Sequence, residues 1–336
     1  MGLKVMAKNA RCIRRLRHRQ NGLSLIELMV ALVVAMIITL GLAVMFSTSS
    51  TNFRELSGTS QQLENGRYAL QIIREDLELA GFYGGYDGVL DRAVVASLPD
   101  PCADINNITE LRDGLVVPVQ GYDDDTGYGD LGCINNHLAG TDVVVIRRAS
   151  TSATIDGLSA NTAYIQQGMG RGVTELATGQ DGSFTQRRED NSFYPIYPYF
   201  VRIYYIRNDA VPTLVRTQLG SNGLMVTEPL AEGIEDIRVL YGVEVPDPAP
   251  PHGASDVSGT PTEYLAADAL DTAEWGNVVT AQVSLLARNI RPSQGYVDQR
   301  SYTLGDKNIP SIGDNFKRQV FSGVVRIQNV SQRREW

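Results

Sequence analysis

The sequence predicts an α+β protein: one long N-terminal helix packed on a mainly antiparallel β-sheet. Two observations carry this. The 24 residues Leu23–Phe46 hold one charge, Glu27, and leucines then recur seven apart at 56, 63, 70 and 77. Beyond residue 140, short apolar segments alternate with polar positions between turn-forming stretches, as in the run from Thr280 to Leu286.

The N-terminal element comes first. Residues 1–22 contain Lys4, Lys8, Arg11, Arg14, Arg15, Arg17 and Arg19 and no acid. As a helix, the apolar run that follows reaches ~36 Å, enough for a hydrocarbon core of ~30 Å. The basic residues before it place the N-terminus in the cytoplasm and everything after residue 46 outside. A secretory signal has a shorter apolar core and a small-x-small cleavage site, and AVMFSTSS offers a poor one. A plain signal anchor leaves Glu27 unexplained, since a carboxylate within a membrane helix costs ~2.5–3.5 kcal/mol.

The segment Asn21-Gly22-Leu23-Ser24-Leu25-Ile26-Glu27, behind a basic leader and ahead of a membrane span, resembles the type III signal of type IV prepilins. The resemblance implies cleavage between Gly22 and Leu23 by a membrane aspartic peptidase on the cytoplasmic side. It also implies N-methylation of Leu23 and places Glu27 fifth in the mature chain. The family most often has phenylalanine where this chain has Leu23. Glycine at the cut leaves no side chain to obstruct the peptidase. The new α-ammonium and Glu27 are opposite charges in an apolar setting. Pairing between an incoming subunit's amine and a neighbour's glutamate would let both sit among packed helices.

Apolar periodicity continues past the membrane, with Phe53, Ile73 and Ala80 joining the heptad leucines and charged residues lying off the stripe. This predicts one helix over about 24–80, capped by Gly81, its second half lying on the sheet. A coiled coil is the alternative use of the stripe. Gly41 and Gly66 are expected weak points, since glycine costs ~1 kcal/mol against alanine in a helix.

The domain plan is therefore a cleaved leader at 1–22, a helix at 23–80 spanning the membrane over 23–46, and an extracytoplasmic domain at 81–336. Residues 84–140 read as loop-rich. Outside the leader only Cys102 and Cys133 remain, and in an exported domain such a pair reads as a disulfide, with two buried free thiols as the alternative. Strands are expected at 142–147, 200–206, 213–217, 237–243, 278–287 and 320–327, an exposed loop at 246–261 and a short helix at 262–275.

Residues 65–84 (NGRYALQIIREDLELAGFYG), 233–244 (GIEDIRVLYGVE) and 318–329 (RQVFSGVVRIQN) are similar to PilW-type minor pilins. That family implies a pilin-like fold and a role in initiating pilus assembly at or near the tip. Its partners would be prepilin peptidase, other minor pilins, the major pilin and the inner-membrane assembly platform. The chain would be single-pass in the inner membrane with a periplasmic C-terminus, then part of the surface pilus. The rival readings are a minor pseudopilin of a type II secretion system and a membrane-anchored extracytoplasmic binding module.

Other chemistry finds little support. The formal net charge is −8; without the leader's seven cations it is −15, which would repel phosphate backbones and argues against nucleic acid. The three histidines fall in no metal-ligand spacing, and no nucleophile-elbow or phosphate-loop motif occurs, so no enzyme and no cofactor are expected. Gly168–Gly172 reads as a flexible loop. Asp123, Asp125 and Asp130 form a weak calcium candidate without the EF-hand's terminal glutamate, and a solvated acidic loop is the preferred reading. The aromatic run 193–205 reads as the approach to a core strand rather than an adhesive surface.

Overall fold

The computed structural model describes residues 22–84, 97–123, 131–154, 157–168, 174–180, 184–220, 222–245 and 258–334. The chain divides into two compact units, Met1–Arg54 and Glu55–Trp336. Helix α1 (Leu25–Glu78) contributes to both.

In the first unit α1 is apolar on all sides from Leu28 to Phe46 but for Thr39, and every residue from Leu23 to Phe46 is exposed. A helix with no polar face and no protein cover needs lipid or other helices around it. Its length and composition suffice to cross a membrane.

In the second unit α1 buries a narrow face of Gln62, Gly66, Ala69, Ile73, Asp76 and Leu77. This corrects the N-terminal part of the expected stripe, whose Ile73, Leu77 and Ala80 are fully buried. Leu63 and Leu70 lie at the edge of that face, and Leu56 and Phe53 are exposed at 71% and 73%. Small residues win the centre because the sheet comes close. A Cβ at Gly66 would overlap the ring of Phe321, so Gly66 is a packing position and not a melting point. Gly66→Ala should therefore destabilise by ~1–3 kcal/mol, opposite in sign to helix propensity. Phe321→Leu in the same chain should restore part of the loss, as chemical denaturation would read. Past the helix, Gly81 adopts φ 73° and turns the chain away.

Two antiparallel sheets follow, where the sequence suggested one. The first has seven strands: β1 (Val119–Tyr122), β2 (Val143–Ala149), β3 (Ala163–Gln167), β4 (Thr174–Thr178), β5 (Ile196–Arg207), β6 (Thr213–Leu219) and β7 (Met225–Glu232). They run β1-β2-β5-β3-β4, with β6 also on β5 and β7 on β6. The second, in the order β13-β10-β8-β9, holds β8 (Ile234–Val243), β9 (Glu263–Leu265), β10 (Val278–Arg288) and β13 (Arg318–Arg326). A hairpin of β11 (Tyr302–Leu304) and β12 (Lys307–Ile309) packs on it through Leu304, Leu286 and Val320.

Strand β2 has no alternation because both its faces are buried. Val144 and Ile146 enter a core shared with Ile73 and Leu77 of α1 and with Val239, Val283 and Val325 of the second sheet. Val143 and Val145 enter a second core with Tyr83, Leu111 and Tyr205. The expected helix at 262–275 is instead β9 and two 3-10 turns, Ala267–Ala269 and Glu274–Asn277. Buried Trp275 packs edge-on to Tyr241 at 4.8 Å. The region expected as loop contains α2 (Ile108–Asp113) and β1. The C-terminal helix α3 (Gln328–Arg334) answers the end of α1: Asn329 Nδ2 donates to Ala80 O at 3.2 Å and Arg333 Nη2 to Gly81 O at 3.3 Å.

Candidate assembly site

At its N-terminal end α1 is preceded by Gly22, Leu23 and Ser24, all exposed, and nothing lies within 4 Å of a side chain built at Gly22. Glu27 occupies the first turn, and its Oε2 accepts a hydrogen bond from Ser24 N–H at 2.9 Å. Ser24-Leu-Ile-Glu27 is thus a capping box in sequence, with the glutamate's half formed. The sequence reading treated Glu27 only as a charge and missed this second role. From Glu27 the helix surface continues as a shallow apolar strip through Val30, Ala31, Val34 and Ala35. The two alanines allow close approach of another helix.

In the second unit, buried ion pairs fix α1 to the seven-stranded sheet. Asp76 is 3% exposed. Its Oδ1 accepts from Arg148 Nε at 2.9 Å and Arg202 Nη1 at 2.6 Å, and its Oδ2 accepts from the Tyr204 hydroxyl. Burial, then the Asp76 carboxylate, pushes the Tyr204 phenol up, so it stays a donor. Lower on the helix, Gln62 Nε2 donates to Ala287 O at 2.8 Å, and Glu55 pairs with Lys317 at 2.7 Å.

Around the second sheet, buried Arg318 is held by Glu235 at 2.5 Å, Asp298 at 3.1 Å and Asp314 at 2.6 Å, and Tyr302 O–H donates to Asp298. For Asp298 burial acts to raise the pKa, but the hydrogen bonds from Tyr302 and Arg318 outweigh it and the net shift is downward. Asp314 is lowered chiefly by its bonds to Arg318. A carboxyl depressed in the folded state stabilises above its unfolded pKa, near ~4, and that contribution is lost as pH falls through the folded value. The domain should lose stability steeply below pH ~4, and Asp298→Asn should flatten that slope, read as unfolding midpoints against pH.

Cys102 and Cys133 are joined by a disulfide with Cα atoms 5.4 Å apart, against the second core. Closing a loop of 31 residues contributes ~3–4 kcal/mol in the chain-entropy account. Asp123 is buried and ion-paired to Arg238, which Asp142 and Asp306 also engage at 3.2 and 2.7 Å. Asp125 and Asp130 lie outside the described residues, as do 169–173 of the glycine-rich loop. Among the described residues no group of three metal-ligating side chains occurs. The aromatic run enters β5, where Tyr199, Tyr204 and Tyr205 are core residues, while Phe193 stays outside under Arg187 at 3.8 Å.

Residues 17–43 match the prokaryotic N-terminal methylation motif, which takes in the apolar part of α1. Residues 203–329 match the family described as type IV pilus-assembly protein W, from within β5 to the start of α3. No curated protein and no solved structure matches the chain. Both matched families are pilus components and not enzymes. With the apolar helix and antiparallel sheets beneath those matches, the chain is a type IV pilus pilin-like protein, similar over residues 203–329 to the PilW family.

Proposed function

We propose that the chain is a minor pilin that takes part in initiating pilus assembly at or near the tip. The observation that carries the reading is the fully exposed apolar helix of the first unit, matched to a methylation motif and continuous with a helix built into a folded domain. Prepilin peptidase cuts between Gly22 and Leu23, where exposed backbone without a side chain at the glycine suits access. Leu23 is then N-methylated, with residues 1–22 removed and 81–336 in the periplasm.

Glu27 supplies the chemistry of assembly. Its second oxygen, without a partner among the described residues, can meet a neighbouring subunit's amine while Oε2 keeps the Ser24 N–H. Entry into the filament then exchanges lipid for helix contacts, and the charge pair is desolvated only when both members are present. Other minor pilins, the major pilin and the inner-membrane platform are the partners this requires.

The test is deletion of the gene followed by recovery of sheared filaments. The reading predicts loss of surface pili, restoration by the full chain, and substoichiometric amounts of the chain in the filaments. Unchanged piliation with a secretion defect would assign it to a type II secretion system instead.

A further inference from the structure

The second sheet has one long open edge. Hydrogen bonds at both ends of the β10–β13 ladder, Asn289 N–H to Lys317 O and Ile327 N–H to Val279 O, fix its alternation. Odd-numbered residues of β13 therefore face β10, and Val320, Ser322 and Val324 direct their N–H and C=O groups outward. Among the described residues these outward groups have no hydrogen-bond partner. Arg300 covers only the Arg318 end, donating to Arg318 O at 3.3 Å. The other edges are short or blocked: β4, β1 and β9 run five, four and three residues, and β7 carries Pro229 with Glu228 and Glu232.

The flank of α1 beside this edge is the leucine row. Asn65 reaches Glu232 O on the β8 side, and Gly66 sits over Phe321. Leu56, Leu63 and Leu70 thus turn to the outer side of β13, and Leu70 Cδ2 is the nearest atom to a side chain built at Gly323, at 3.7 Å. Three of the four heptad leucines belong to this flank, while Leu77 lies in the buried face. Exposed Arg67 stands on it with no partner among the described residues.

We propose that the outer edge of β13 receives, by strand addition, an extended segment of another pilin-like subunit. Its apolar side chains cover Leu56, Leu63 and Leu70, and an acidic side chain meets Arg67. Unpaired main-chain groups in a row select a strand over a helix, and the lone cation selects the acid. A second copy pairing through its own β13 is disfavoured, because that strand (RQVFSGVVR) carries no acid to meet Arg67. The proposal rests on the reading of the chain as an assembly subunit.

The experiment uses the full chain in its own cells, with a photoreactive residue replacing Val324, which is 56% exposed. Cross-linked peptides are mapped from solubilised membranes. The expected adduct is to an extended, acid-bearing segment of another pilin-like subunit. Ser322→Pro removes an outward N–H without deleting a β10–β13 hydrogen bond, and should lower the adduct at least ten-fold at unchanged chain level. Should that variant lower the chain level itself, exposed Arg67→Glu gives the same reading. No adduct, an adduct to a second copy or to a helical segment, or yields unmoved by Ser322→Pro and Arg67→Glu would overturn it. Failure of the functional reading looks different, with the chain missing from filaments and piliation intact.

Discussion

Replacing Asp76 with alanine is expected to destabilise the globular unit by ~3–5 kcal/mol, because it leaves buried cations without their counter-charge. Arg148 and Arg202 converge on one oxygen of Asp76, and their side chains are only 11% and 14% exposed. Neither has an alternative carboxylate partner among the described residues, so both would have to turn outward and drag β2 and β5 apart. For a domain of this size the loss corresponds to roughly 6–20 °C in melting temperature. Arg74→Ala is the control: its pair with Glu78 has the same charges on the same helix but lies in solvent, where such pairs contribute ~0–1 kcal/mol. Thermal melts of the two variants should differ several-fold in their shift. Equal small shifts would mean that the Asp76 cluster is not what holds the helix.

The second large effect is on assembly. Glu27 has two separable roles, the cap of Ser24 N–H and the charge offered to a neighbour's amine. Glu27→Gln keeps an acceptor for the cap and loses the charge; Glu27→Ala loses both. If charge pairing drives entry into the filament, both variants should reach normal membrane levels, be cut normally, and fall at least ten-fold in sheared filaments. That drop follows from stranding one member of a buried pair, at ~3–5 kcal/mol. Loss of a cap alone costs ~0.5–2 kcal/mol, and in that case glutamine would rescue. Filament recovery of Glu27→Gln near the wild-type amount would reject the pairing.

How far the sequence could be read follows from where the information lies. The apolar span needs no tertiary partner to be recognised, since its length, its single acid and its basic flank are local. The six expected strands are all present, lengthened by one to several residues, because alternation and β-branched content are local too. The face of the helix was legible only towards its C-terminal end, where Ile73, Leu77 and Ala80 are buried as expected. Leucines at seven-residue spacing draw attention, yet the contact with the sheet is made by Gly66, Ala69 and Asp76, since backbone approach over Phe321 leaves room only for small groups. Asp76 was the available clue, an acid one turn from Ile73 and Ala80 on an otherwise apolar arc, with Arg148 and Arg202 inside apolar strands as its natural partners. The split into two sheets was not legible, because strand partners far apart in sequence leave no local trace. Short strands such as β11 and β12 carry too few residues to show a period.

The most direct measurement is the mass of the chain's N-terminus, on protein extracted from membranes of its own cells. The account predicts a chain that begins at Leu23, carries a methyl group on its α-amine, and retains everything after it. Protein recovered from filaments with residues 1–22 still attached, or cut within or after the apolar span, would contradict it.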